Sequence, residues 1–208
     1  MNIKEAYQIW SEQYDTNDNK TRDLESIALK ATLSNIKFDK VIEFGCGTGK
    51  NSVWLEQKAK QLLGVDFTEA MIAQAINKST APNTKFILAD INEPWNFTNE
   101  QYDLVTYSLV LEHIEDLDTI FKKACQITTE HAYIYMGELH PFKQYAGSKA
   151  RFTTEAGEQI VTCFTHNISD FLNAAKKYNF ELKLLEEWFD DDDKTNIPRI
   201  LTLLFQKK

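Results

Sequence analysis

Residues 41–50 read VIEFGCGTGK, an apolar run that passes directly into three glycines, Gly45, Gly47 and Gly49. Valine and isoleucine in front favour a buried strand, and the glycine turn lets backbone pass close under a ligand. The following SVWLEQ continues as a helix. The spacing is G-x-G-x-G, with Lys50 standing where a dinucleotide fingerprint places its third glycine. Further on, QLLGVD ends a second apolar strand on Asp66. An acid at the end of a second parallel strand is placed to accept hydrogen bonds from ribose hydroxyls. Strand, turn, helix, strand and acid together indicate a site for a nucleoside ligand, with Asp66 partly open to solvent in the empty protein.

Outward from this stretch the pattern alternates. Strands are expected at 40–44, 60–65, 85–89, 102–107 and 131–136, with helices at 49–58, 68–77 and 116–126. Two amphipathic helices, 3–14 and 22–33, precede them. The runs VIEF, QLLGV and KFILA are nearly continuous, as strands buried on both faces require. The fold class is therefore α/β, a doubly wound and mostly parallel sheet. Residues 137–165 mix aromatic, basic and glycine residues without helical period. A helix follows in NISDFLNAAKKY, capped by Asn167 or Ser169. Segments 181–189 and 199–208 are strand-like, and their short joint, DDDDKTNIP, implies an antiparallel pair with Asp190–Asp193 as a solvated turn.

Length and charge bound the function. With 208 residues, 43% of them hydrophobic, one well-filled domain over 1–208 is expected. A formal charge of −8 and an isoelectric point near 5.1 disfavour a nucleic-acid partner, which needs clustered Lys and Arg. Cys46, Cys125 and Cys163 have no metal-ligand spacing and an odd count, which suggests a reducing compartment. No run near either end suits a signal peptide or a membrane span, so a soluble cytoplasmic protein is expected.

On these residues the chain resembles the class I S-adenosylmethionine-dependent methyltransferases. EFGCGTG at 43–49 is similar to the family's first motif and GVDFTEAM at 64–71 to the second, while KFILADI supplies Asp90 and QYDLVTYSLVLEHIEDL the fourth strand with its loop. The resemblance covers 38–136 closely, plus the C-terminal strand pair. It implies a seven-stranded sheet ordered 3-2-1-4-5-7-6 with the seventh strand antiparallel, and S-adenosylmethionine as cofactor. It also implies that the glycine loop passes the methionine portion, Asp66 holds the ribose and Asp90 meets the adenine. Ile91 would offer backbone to the same ring. Glu43 has two open roles, approaching the amino group or ordering the strand end; Phe67 lies against the adenine or in the core. The N-terminal helices, 1–34, serve as a lid in related proteins, which makes Tyr14, Asn19 and Arg22 candidates there.

The chemistry of transfer leaves a fainter trace. Ligands in open parallel sheets sit beyond the carboxyl ends of the strands, so the loops after the fourth and fifth strands matter most. His113 and His140 are candidate bases for an acceptor proton, with loop packing as the alternative for His113. Residues 137–165 read as a cover over the acceptor, in which Tyr145, Arg151 and, just beyond it, His166 are the candidate contacts together with Tyr14. Arg151 suits a carboxylate or phosphate. Methyl transfer to oxygen, nitrogen or carbon of a small molecule carrying a carboxylate or hydroxyl is the first expectation; a protein or peptide acceptor is the second. Related enzymes acting on quinone precursors hold a divalent ion with a Glu three residues before a Glu-His pair. Leu109 stands at that position, so no metal is expected. The competing readings are a non-catalytic nucleoside-binding scaffold and, third, a nicotinamide dehydrogenase.

Overall fold

A computed structural model describes residues 3–11, 14–149, 151–154 and 157–208. Positions 1, 2, 12 and 13 of the expected lid, and 150, 155 and 156 of the expected cover, lie outside the described residues. Strands β1 (Lys40–Phe44), β2 (Gln61–Asp66), β3 (Thr84–Leu88), β4 (Tyr102–Ser108) and β5 (Thr128–Leu139) alternate with helices α3 (Ser52–Leu55), α4 (Glu69–Lys78) and α5 (Leu117–Ile127). Helices α1 (Ile3–Trp10) and α2 (Lys20–Leu33) precede them. After β5 come α6 (Pro141–Tyr145), a hairpin of β6 (Arg151–Thr154) and β7 (Gly157–Ile160), α7 (Ile168–Lys177), β8 (Phe180–Trp188) and β9 (Ile200–Lys207).

The main sheet runs β3-β2-β1-β4-β5-β9-β8, with β9 antiparallel to both neighbours. With the separate β6–β7 hairpin set aside, this is the expected 3-2-1-4-5-7-6 order. Each sheet face has its own apolar layer. Ile42, Phe44, Val105 and Ile134 face α5 and α7 through Phe121 and Phe171. Val41, Leu104 and Leu204 face α2 and α3 through Leu29, Leu33 and Leu55. Burial of both faces is the physical reason that β1 shows no polar alternation.

The differences from the expected elements are local. The helix expected over 3–14 ends at Trp10, and that expected over 49–58 is a single turn at 52–55. The 137–165 segment is more regular than its composition suggests: β5 continues to Leu139, α6 follows and a hairpin forms. The aspartate run turns the chain as expected but is not merely solvated, because Asp190 takes a bidentate contact from Arg199 at 2.5 and 2.6 Å. Among the described residues no helix is long and apolar enough to cross a membrane.

Candidate functional site

The glycine loop is set by what surrounds it. Phe44, the last residue of β1, stacks on Tyr107 of β4 (centroids 5.5 Å apart) and on Trp95 (4.2 Å). The chain then turns at Gly45, whose φ is +65° and where a Cβ would lie 2.2 Å from Val110 Cγ2. Only glycine fits there, on both counts. Gly47, with φ +52°, is different: a Cβ there would meet nothing within 4 Å, so this backbone faces open space. Gly49 packs against Ala75 of α4 and does not line the cleft.

Asp66 locks the loop from the next strand. Its carboxylate accepts the backbone N–H of Gly47 (3.0 Å) and that of Thr68 (2.9 Å). It is buried, with 7% of its surface exposed, which corrects the expectation of a partly open side chain. Burial pushes its carboxyl above the usual carboxylate range, against the pull of those N–H donors. At the end of β3, Asp90 accepts the backbone N–H of Asn92 (2.8 Å), while the Ile91 carbonyl accepts from Trp95 Nε1 (3.0 Å) and Lys123 Nζ (2.5 Å). The third strand end is thereby held as firmly as the first two.

These strand ends border a cleft of about 720 Å³, mouth included. Gly45, Gly47, Asp66, Phe67, Asp90 and Ile91 all line it, as do Tyr14 and His113. An adjoining lobe of about 380 Å³ shares Tyr14, Gly45 and Gly47 with the cleft and adds Glu43, Glu25 and Arg22. Glu43 is buried, accepts a hydrogen bond from Ser52 Oγ, and has its carboxyl pushed up by burial to about 8. Glu25 is buried too, accepting from Asn51 Nδ2 (2.9 Å) and Tyr135 Oη (3.0 Å). Two carboxyls, a guanidinium and the Lys50 ammonium thus border this lobe.

The loop after β4 brings His113 to the opposite wall. Glu138 of β5 accepts the N–H groups of Val110 (3.2 Å) and Leu111 (3.0 Å), fixing the turn that carries His113. Burial raises the Glu138 carboxyl to about 8. His113 Nδ1 lies 2.9 Å from the Thr162 carbonyl, which only accepts, so Nδ1 carries the proton. In the neutral ring Nε2 is then the acceptor, and Tyr7 Oη donates to it at 2.8 Å. Tyr7 lines the cleft, and burial holds its phenol well above the ordinary tyrosine range. Glu112, His113 and Cys163 form a trio whose ligand atoms lie within 4.8 Å of one another. Both imidazole nitrogens are already engaged, so an ion there would have to displace Tyr7 or Thr162.

His140 is placed elsewhere. Its Nε2 donates to Glu187 Oε1 (2.9 Å) and its Nδ1 accepts the Phe142 N–H (3.2 Å), so the fully buried ring caps α6 and keeps no lone pair for an acceptor proton. Tyr145 is exposed and bonded to Asn167, Arg151 lies exposed on the hairpin, and His166 Nε2 meets the Ile114 carbonyl at 2.7 Å. None of the four lines the cleft.

Instead the cleft is roofed by the chain's beginning. Ile3, Tyr7 and Tyr14 line it, and Asp15 ties this segment down by accepting from Thr48 Oγ1 and Lys78 Nζ, both at 2.7 Å. Tyr7 and Glu25 carry no functional signal in the sequence. Tyr7 has the spacing of an apolar helix face; the trace of Glu25 is an acid on the same side of α2 as Ala28 and Leu29, buried with them.

Comparison with known proteins agrees with this geometry. Residues 42–136 match a family model described as a methyltransferase domain. Phosphoethanolamine N-methyltransferase 3 of Arabidopsis thaliana is 34% identical over 142 residues, covering 65% of this chain, and the chain spans 29% of that protein's length. An S-adenosylmethionine-dependent methyltransferase from Mesorhizobium loti superposes with a TM-score of 0.74 at 20% identity, over 88% of this chain and 98% of that one. The N-methyltransferase NodS of Bradyrhizobium japonicum, in complex with S-adenosyl-L-homocysteine, gives 0.72 at 15% identity over 100% and 99%. Sheet order, glycine loop and strand-end acids lead to one conclusion: the chain has the fold of the class I S-adenosylmethionine-dependent methyltransferases.

Proposed function

We propose that this protein transfers a methyl group from S-adenosylmethionine to a small molecule. The observation that carries the reading is the open backbone at Gly47, clamped by Asp66 at the floor of the two-lobed cleft. A side chain at Gly47 would fill the space that a ligand's chain must cross. The lobe with Glu43, Glu25, Arg22 and Lys50 suits an amino-acid moiety, whose ammonium finds carboxyl oxygens and whose carboxylate finds cations. Asp66 suits ribose hydroxyls, and the half-buried walls at Phe67, Asp90 and Ile91 suit a purine. When bound, the cofactor supplies an electrophilic methyl group on a sulfonium.

The chain's own part is to align and to take a proton. Tyr7 and His113 stand where the cleft leaves the cofactor end, and the neutral His113 tautomer presents Nε2 toward Tyr7 and the cleft. A base so placed takes a proton from an acceptor either directly or through the Tyr7 hydroxyl. Alignment supplies much of the remaining acceleration. The relatives' acceptors are not carried over: the chain spans only 29% of the phosphoethanolamine enzyme's length.

Calorimetric titration with S-adenosylhomocysteine, S-adenosylmethionine and NAD tests the reading. Binding of the two sulfur compounds with weak or no NAD binding is expected, because Lys50 replaces the third glycine of a dinucleotide loop. Tighter NAD binding would move the protein to the dehydrogenases. Cofactor binding without consumption of S-adenosylmethionine over a broad acceptor panel would favour a scaffold.

A further inference from the structure

We propose that the acceptor is an amine that enters the cleft as an ammonium ion, an inference that rests on the methyltransferase reading above. Among the described residues that line the cleft, the ionisable side chains are Tyr7, Tyr14, Asp66, Asp90 and His113; there is neither lysine nor arginine. Arg22 and Lys50 line the adjoining lobe and not the cleft, Arg22 with its Nη2 on the Asn17 carbonyl (2.9 Å) and its guanidinium over the Tyr14 ring, Lys50 with its Nζ on Asp23. Arg151, the cation that the sequence offers to a carboxylate, is exposed on the β6–β7 hairpin and does not line the cleft. An anionic acceptor would therefore shed its water with no fixed cation in the cleft to replace it.

An ammonium ion meets the opposite environment. The rings of Tyr7 and Tyr14 both line the cleft and lie 6.4 Å apart, tilted by 55°. Aromatic faces attract a desolvated cation. The same corner provides a path for the proton that an ammonium must lose before it has a lone pair. Tyr7 Oη donates to His113 Nε2 at 2.8 Å, while Nδ1–H is held by Thr162. The groups facing His113 are Tyr7 from α1, Glu112 at 4.0 Å from its own turn, and Cys163 at 3.9 Å.

The ammonium gives one proton to the Tyr7 oxygen as the Tyr7 proton moves to His113 Nε2. The freed nitrogen lone pair forms the bond to the methyl carbon; the carbon–sulfur bond breaks and its electron pair stays on sulfur, leaving a neutral thioether. The product leaves as a methylated ammonium, and His113 returns its proton to solvent.

The test is a titration of the protein saturated with S-adenosylhomocysteine, using phenethylamine and 3-phenylpropionate, which match in ring and chain but are opposite in charge near neutral pH. The amine is expected to bind at least about tenfold more tightly. Tyr7→Phe should keep that ranking while lowering turnover of amines, and Tyr7→Leu should narrow it. A carboxylate that binds as tightly as the amine, or protein saturated with the cofactor product that binds neither, would overturn the proposal. A protein that does not bind S-adenosylhomocysteine at all would count against the methyltransferase reading itself.

Discussion

The two walls of the cleft are built by different means. On the cofactor side, functional groups sit at the ends of β1, β2 and β3, where parallel hydrogen bonding fixes Phe44 beside Val65 and Asp66 beside Leu88. Position there follows from strand register alone. On the acceptor side, His113 takes one partner 106 positions earlier in the chain and another 49 positions later. Position there follows from side chains meeting across the fold. The first wall is rigid scaffold; the second exists only while α1, the β4 loop and the segment after the hairpin are packed together.

If the division is real, variants on the two walls should fail differently. The largest effect is expected at His113. His113→Ala should lower kcat by about 100-fold, in the range usual for loss of a general base, with affinity for S-adenosylhomocysteine nearly unchanged. The deficit should shrink at high pH, where an amine acceptor sheds its proton unaided. Full turnover across the pH range would show that alignment alone suffices.

Next comes Asp66→Ala. Loss of charge-assisted bonds to ribose is worth about 2–3 kcal/mol, or roughly a thirtyfold to hundredfold weaker dissociation constant. Unlike His113, this variant should also unfold more easily without cofactor, because the Gly47 and Thr68 N–H groups lose their shared acceptor. The pair of measurements, titration and thermal unfolding, separates a ligand contact from a loop clamp. Weakened binding with unchanged stability would mean that the clamp contributes little.

How far the sequence exposes each wall follows from the same contrast. The strands, their order by resemblance, and Gly45, Gly47, Asp66, Phe67, Asp90 and Ile91 as cleft residues are legible because local apolar runs and turn chemistry set them. Gly49 shares the motif yet packs on Ala75, since a spacing does not say which glycine faces the ligand and which faces a helix. His140 illustrates the limit more sharply. Its place after the fifth strand is that of a site residue, but Glu187, 47 positions away, and the Phe142 N–H use both nitrogens. Tyr7 is hidden for the reverse reason: an amphipathic helix pattern cannot distinguish a phenol facing core from one facing a histidine in a cleft.

Buried acids offer a third comparison, this time through pH. The Glu43 and Glu138 carboxyls both stay protonated to about 8 in the folded protein, against an ordinary value of 4.5. Between those limits the unfolded chain has released protons that the folded one keeps, so stability falls as pH rises through the window. Each group contributes a slope of about 1.4 kcal/mol per pH unit at most. Glu43→Gln and Glu138→Gln should therefore gain stability relative to the parent between pH 5.5 and 8, read by urea unfolding at both values. Parallel curves for parent and variant would mean that water or rearrangement relieves the buried charge.

The smallest effects belong to the residues that composition alone points to. Arg151→Ala should leave cofactor affinity unchanged and the Michaelis constant of an amine acceptor within about twofold, because surface substitutions away from a site usually shift free energies by no more than about 0.5 kcal/mol. His140→Ala should leave turnover equally intact but cost about 1–2 kcal/mol of stability, since it removes both the cap of α6 and the partner of Glu187. A histidine that matters to stability but not to turnover is a scaffold residue; one that matters to turnover but not to stability touches the reaction. Should His140→Ala instead lower turnover with unfolding unchanged, and Arg151→Ala raise the Michaelis constant, then the segment after β5 closes over the acceptor and the wall formed by Tyr7 and His113 is only half of the pocket.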